Sequence, residues 1–264
     1  MLLKRSKTIF GILALILVLA FALSACGSGA SAGNVLRVGV DDSYPPMEFK
    51  DESGKQVGFD IDLANEIGKR LSMKVEFIST AWSGIFTALE ADKYDCIISS
   101  LSITEDRKKS LLFTQPYVAN SQVIVVAKGD TSIASEKDLK DKIVGVQMGT
   151  TAEEACVKYQ ESIKFKDFKK YEQVIEPFAD LKTGRINAIV VDEVVARYYL
   201  QKDNSSFQLA GGRLTNEPIG IGFKLSNTAL KDKVDKAISD IIADGTLKQL
   251  SQKWFGEDLT GNLK

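Results

Sequence analysis

From residue 35 onward the chain alternates short β-rich runs with amphipathic helical stretches. Val35–Val40 reads as a strand. Asp60–Leu71 puts Ile61, Leu63, Ala64, Ile67 and Leu71 on one helical face. Val75–Ile78 is a strand, Gly84–Ala91 repeats Ile85, Phe86 and Leu89 at helical spacing, and Asp95–Ser99 is a strand again. This β-α-β-α-β order predicts a parallel sheet covered by helices.

A second unit opens after Phe113-Thr114-Gln115-Pro116-Tyr117. Gln122–Ala127, Ile143–Gln147 and the all-apolar Ala188–Val191 predict strands. Asp138–Leu139 begins a short helical stretch, and Thr151–Tyr159, Ile175–Leu181 and Val194–Gln201 predict helices. Ile219–Phe223 predicts a strand leading back. Leu230–Ile242 and Thr246–Trp254 predict C-terminal helices separated by Gly245, a helix terminator. These last helices bring no strands of their own. Packed on the first unit, they make it discontinuous, with two chain crossings that create a hinge and a cleft. The expected architecture is α/β with two lobes: 34–119 plus 219–264 form the first, 120–218 the second.

The first 33 residues stand apart. Lys4, Arg5 and Lys7 precede a nearly unbroken apolar run from Ile9 to Leu23, shorter than the ~20 residues a spanning helix needs. Leu23-Ser24-Ala25-Cys26-Gly27 resembles a bacterial lipobox. That resemblance implies a signal peptide over 1–25, cleavage before Cys26 and a diacylglycerol on its sulfur. A polar, small-residue tether over 26–33 follows. The expected product is a body held to a membrane by its lipid and facing away from the cytoplasm. It would sit on the outer face of the cytoplasmic membrane, or in a periplasm where an outer membrane exists.

Charge and composition narrow the functions. The chain is 26% charged and 44% hydrophobic, an ordinary globular balance. Its formal net charge is −1, and loss of the leader removes three basic residues and no acidic one. A mildly acidic surface is not a nucleic-acid footprint. There is no histidine, so zinc sites and histidine-based triads are nearly excluded, and no metal or cofactor is expected. Cys96, within an apolar run, and Cys156, within a helical stretch, are expected as buried free thiols, with a disulfide as the alternative.

The candidate chemistry gathers at strand ends. Ser99-Ser100-Leu101-Ser102-Ile103-Thr104-Glu105-Asp106-Arg107 follows a buried strand, and ligands bind at the carboxyl ends of strands in α/β units. Thr104 can cap a helix carrying Glu105 and Asp106 in its early turns. Hydroxyls, free N–H groups and the Arg107 guanidinium suit a carboxylate, although a Ser-rich turn alone is more often structural. Gly149-Thr150-Thr151 precedes a helix whose N–H groups could hold an anion, a weak signal alone. Asp192 ends a strand and could accept from an ammonium. Tyr44 and Trp82 could wall an apolar stem or a cation, with core packing the even alternative for Trp82. A cation and hydroxyls on one lobe, with a carboxylate and backbone donors on the other, match an α-amino acid.

Taken in order, Gly39 to Pro46, Gly58 to Ala64, Ser99 to Arg107, Gly149-Thr150-Thr151, Val191-Asp192-Glu193, Asp244-Gly245-Thr246 and Trp254-Phe255-Gly256 resemble bacterial solute-binding proteins for polar and cationic amino acids. Ser99–Arg107 is most similar to histidine- and lysine/arginine/ornithine-binding members. The resemblance implies a two-lobed periplasmic-binding-protein fold with a hinge of two crossover strands and a ligand cleft between the lobes. It also implies roles. Arg107, Ser102 and the Thr151 N–H meet the ligand α-carboxylate; Asp192, Ser102 and the Ser100 carbonyl meet its ammonium. Tyr44 and Trp82 flank the side chain, and Asp41, Ser99 and Ser100 meet its polar end. Leu101 and Thr150 complete the expected lining, while Gly58-Phe59-Asp60 shapes the lobe. Two departures bear on specificity: Trp82 stands where some cationic binders have an aliphatic residue, and the second lobe's contact before Gly149 is Gln147 or Met148. The implied partners are a free amino acid, an ABC permease with its ATPase, and a membrane through Cys26, with the protein itself monomeric. Cationic ligands are favoured over glutamine, cystine or other polar neutral ones. A sensor lipoprotein and a water-eliminating enzyme on the same scaffold are the competing classes.

Overall fold

A computed structural model describes residues 35–261. The predicted leader, Cys26 and tether lie outside the described residues. The chain begins with β1 (Val35–Val40), then a three-stranded meander, β2 (Ser43–Tyr44), β3 (Glu48–Lys50) and β4 (Gln56–Val57). Helix α1 (Phe59–Leu71), β5 (Lys74–Ser79), α2 (Ile85–Glu90), β6 (Cys96–Ile97) and β7 (Leu111–Phe113) follow. Next come β8 (Gln122–Ala127), β9 (Ile143–Gln147), α3 (Thr151–Ile163), β10 (Asp167–Tyr171), α4 (Ile175–Lys182), β11 (Ala188–Asp192), α5 (Glu193–Lys202) and β12 (Phe207–Ala210). The chain closes with β13 (Gly222–Lys224), α6 (Thr228–Ala243) and α7 (Thr246–Phe255).

Two five-stranded sheets organise the body, in the orders β5-β1-β6-β13-β7 and β10-β9-β11-β8-β12. The expected parallel pairing holds for β1–β6 and for β9 with both β10 and β11. The other strands run the opposite way: β13 is antiparallel to β6 and β7, so the first sheet is mixed and not wholly parallel, and β8 is antiparallel to β11 and β12. The reason is topological. Strands joined through a covering helix lie parallel, whereas β8 and β13 enter their sheets directly from the crossings, against the neighbouring direction.

At the crossings, Val118 and Ile219 form an antiparallel bridge, and the Glu217 N–H donates to the Asn120 carbonyl at 2.9 Å. Two extended segments thus lie side by side between the sheets. Helices α6 and α7 pack on α1: Phe255 lies against Phe59 with ring centres 5.1 Å apart, and the Trp254 indole donates to Asp62 at 2.7 Å.

The meander, which periodicity did not reveal, positions the N-terminus of α1. Gly58 has φ 136°, and a Cβ there would stand 2.2 Å from the Met47 carbonyl oxygen. Only glycine allows this approach. The Asp60 N–H then donates to that carbonyl at 2.8 Å, which seats Asp60 beneath β3. The helix predicted after Thr104 is shorter than expected, a single 3-10 turn over Arg107–Lys109. Glu105 to Ser110 carry no apolar stripe, so nothing anchors further turns. Thr104 still accepts from the Arg107 N–H at 3.2 Å.

Candidate functional site

The carboxyl ends of both sheets face each other across a small cavity. Side-chain contacts hold the two sides together. Tyr44 donates to Asp192 at 2.7 Å, and the Trp82 indole to the Gly149 carbonyl at 2.8 Å. The Gln147 amide donates to Asp41 at 3.0 Å and the Ser83 hydroxyl to Glu172 at 2.5 Å. The Ser102 and Thr151 hydroxyls lie 3.5 Å apart. The lobes are closed over the cavity.

Tyr44, Trp82, Ser99, Ser100, Ser102, Arg107, Thr150, Thr151 and Asp192 all line it. Arg107 reaches in from the 3-10 turn. Its guanidinium packs 5.6 Å from the Trp82 ring centre and 5.5 Å from that of Phe86, and donates to the Ser102 carbonyl at 3.1 Å. Two aromatic faces and a carbonyl fix its plane, leaving its other N–H groups for a ligand. Burial lowers the Arg107 pKa, and the charges of Glu154, Asp192 and Glu217 oppose that change.

Asp192 closes the all-buried strand β11. One carboxylate oxygen accepts from Asn120 (2.8 Å) and Gln122 (2.6 Å), the other from Tyr44 (2.7 Å) and, at 3.5 Å, from the Ser100 hydroxyl. Burial raises its pKa, and the donors Tyr44, Asn120 and Gln122 oppose that rise. Thr150 caps α3, accepting from the Glu153 N–H at 3.3 Å.

Two expected residues stand elsewhere. The Leu101 side chain is fully buried in the first-lobe core, in one cluster with Trp82, Ile85 and Ile97. Asp41 is buried one layer back, accepting from Ser43 at 2.7 Å and from Gln147. Of the two second-lobe candidates, Gln147 lines the cavity and Met148 is exposed. Glu48, Asn120 and Gln122 were missed. Glu48 lies between Met47 and Phe49, and Asn120 and Gln122 belong to the polar step Asn120-Ser121-Gln122 leading into β8, which a hydropathy pattern treats as a boundary.

Among the described residues no group of histidine, cysteine or carboxylate side chains could hold a metal ion. No helix there is long and apolar enough to cross a membrane. Cys96 and Cys156 are buried and unpaired, and burial pushes both thiols far above their ordinary pKa.

Residues 36–257 match the family described as bacterial extracellular solute-binding proteins, family 3. The chain belongs to this family. It is 33% identical over 226 residues to the L-cystine-binding protein TcyJ of Escherichia coli (strain K12), spanning 85% of this chain and 84% of that one. It is 35% identical over 257 residues to the histidine-binding periplasmic protein of the same strain, spanning 95% and 98%. A solved structure, an ancestral arginine-binding protein bound to arginine, superposes with a TM-score of 0.81 at 43% identity, covering 84% of this chain and 99% of that one. The fold is therefore the two-lobed one of these binding proteins, and the chain is a solute-binding protein rather than an enzyme.

Proposed function

We propose that the cavity takes one α-amino acid and that the closed, loaded protein hands it to an ABC permease and its ATPase. The observation that carries this reading is the pairing of opposite charges from opposite lobes: Arg107 from the first and Asp192 from the second line one small cavity. A zwitterion bridging them gains both interactions only when the lobes are closed, so ligand shifts the open–closed equilibrium. The α-carboxylate lies on Arg107, assisted by the Ser102 hydroxyl and the Thr151 N–H. The ammonium lies on Asp192 and replaces the long Ser100 contact. Tyr44 and Trp82 flank the side chain.

The far end favours a hydrogen-bond donor. The Gln147 amide nitrogen is committed to Asp41 and to the Glu172 carbonyl, both at 3.0 Å, leaving its oxygen as a buried acceptor without a partner. Asp41 adds negative charge behind it. A cationic side chain, as in lysine, arginine, ornithine or histidine, answers both features; the donor end of a glutamine amide answers only the first. The relatives named for arginine and histidine fit this preference, and the one named for cystine does not. The same reading takes 34–119 with 219–264 as one lobe and 120–218 as the other, hinged where Val118 meets Ile219. It takes Cys26 as the lipidated anchor of a monomer on the outer face of the cytoplasmic membrane.

A thermal-shift screen of the purified protein against the common amino acids, ornithine and cystine tests it. Ligand that binds only the folded form must raise Tm. Cationic amino acids are expected to do so, and Arg107→Ala to abolish the shift. Shifts with glutamine or cystine alone would overturn the cationic preference. No shift with any of them would sink the reading.

A further inference from the structure

The second lobe carries two groups of the proposed ligand site on separate elements. Asp192 ends β11, and Thr151 opens α3. One side chain spans the gap between them. Gln122, the first residue of β8, is fully buried and stands opposite Asp192 on the neighbouring strand. Its amide nitrogen donates to Asp192 Oδ1 at 2.6 Å, to Thr151 Oγ1 at 3.0 Å and to Glu217 Oε2 at 3.2 Å. Its amide oxygen is buried and has no donor. A buried acceptor without a donor is costly. Turning the amide over would cost more, because it would set that oxygen against two carboxylates. Charge therefore locks the nitrogen in place.

We propose that Gln122 is a positioning residue: its amide fixes the spacing between the ammonium and carboxylate subsites, and so selects α-amino acids over homologues with a longer backbone. The proposal rests on the amino-acid reading above. An amide nitrogen carries two hydrogens. One serves Asp192, and the other lies between Thr151 and Glu217. Asp192 Oδ1 is occupied by Gln122 and by Asn120, the latter at 2.8 Å. Its Oδ2 meets only Tyr44 and, at 3.5 Å, Ser100, both from the first lobe, so Oδ2 is the oxygen offered to an ammonium. At the other pole Thr151 Oγ1 accepts from the amide, which leaves its own proton free to donate elsewhere. Its other partner is the Ser102 hydroxyl, 3.5 Å away on the opposite wall. One nitrogen thus holds an acceptor for the ammonium and a donor for the carboxylate at a set separation. The third contact ties both to the crossings, because the Glu217 N–H donates to the Asn120 carbonyl at 2.9 Å. An extra backbone methylene in the ligand would move one pole off its partner and leave a buried group unpaired.

Two pairs of probes test this: L-arginine with L-β-homoarginine, and L-glutamine with L-β-homoglutamine. The members of each pair differ by one backbone methylene. Isothermal titration is run on the purified wild type, Gln122→Leu and Asn120→Ala. The wild type is expected to prefer the α-amino acid by about a hundredfold or more. Gln122→Leu is expected to narrow that preference by about tenfold or more, weakening the α-amino acid and sparing the homologue. Asn120→Ala takes a donor from the same Asp192 oxygen without touching Thr151, so it weakens both members of a pair alike. A merely structural role for Gln122 would lower Tm and leave these ratios where they are. The wild type also gives a measurement that needs no variant. With the tighter of the two α-amino acids bound, the Gln122 side-chain amide protons must show NOE cross-peaks to Thr151. Absence of those cross-peaks overturns the proposal even where Gln122→Leu does not fold. An unchanged preference in Gln122→Leu overturns it too, as does an equal narrowing in Asn120→Ala. Wild-type binding with no preference over the homologue sinks this proposal alone and leaves the amino-acid reading intact. Binding of neither α-amino acid by the wild type sinks both the proposal and the reading of the cavity as a site for cationic or amide side chains.

Discussion

Two buried acids, one on each wall of the cavity, are handled in opposite ways. Asp192, on the second lobe, meets four donors: a phenol, two amides and a serine hydroxyl. Glu48, on the first, meets one hydroxyl, and its other oxygen has no donor. Both are desolvated, so the difference lies in donor supply. Donors let a buried carboxylate keep its charge, and their scarcity favours the neutral acid. The second wall can therefore present charge to a ligand, whereas behind the first Asp60 holds the Ser100 backbone N–H.

The sharpest break of this comparison is Asp192→Asn. It preserves shape but removes the charge that answers the ligand ammonium, and turns one acceptor atom into a donor facing other donors. Loss of one partner of a buried charge pair costs about 2 kcal/mol or more, roughly thirtyfold in affinity. Isothermal titration is expected to show at least that loss for the best amino acid, with Tm of the empty protein moving far less. Binding is expected to depend on pH. Burial raises the Asp192 pKa, so ligand affinity falls as pH drops through a range above the ordinary carboxylate value. Affinity that stays flat down to pH 4 would argue against an ionised Asp192 as the ammonium's partner.

A smaller effect is expected from Gln147→Leu. The amide bridges the walls through Asp41 and also ties down the Glu172 carbonyl. Its loss leaves an Asp41 oxygen buried without that donor, a cost of about 1–3 kcal/mol. The expected outcome is roughly tenfold weaker binding, with arginine losing more than glutamine. Equal losses for both would remove Gln147 from the reading of the ligand side chain.

These residues also mark where the sequence was legible. The strand at Val35 was readable because its positions alternate, and those at Ile143 and Ala188 because short apolar runs are buried on both faces. The serines, Arg107, Thr151 and Asp192 were readable because they sit just past such runs, at strand ends. The meander from Ser43 to Val57 was not, since its strands are two or three residues long and its exposure alternates too briefly for a period. Leu101 was misread because membership of a loop says nothing about which way each side chain turns. Gln122 escaped notice for a different reason. It contacts Thr151, Asp192 and Glu217 together, residues that become neighbours only when β8 and β11 pair antiparallel.

Trp82→Phe is expected to have the smallest effect and to separate the two things the indole does. Its ring lies beside Arg107 and edge-on to Phe86, 5.6 Å between ring centres, and its N–H reaches across to the Gly149 carbonyl. Phenylalanine keeps the face for the guanidinium and loses only the cross-lobe hydrogen bond, worth about 0.5–1.5 kcal/mol. That bond exists only where the lobes meet, so its loss should fall on closure. Ligand dissociation is expected to speed up by about threefold to tenfold in stopped-flow measurements, with association nearly unchanged. A slower association with unchanged dissociation would instead show that the indole acts in the open protein, holding Arg107 ready before the second wall arrives.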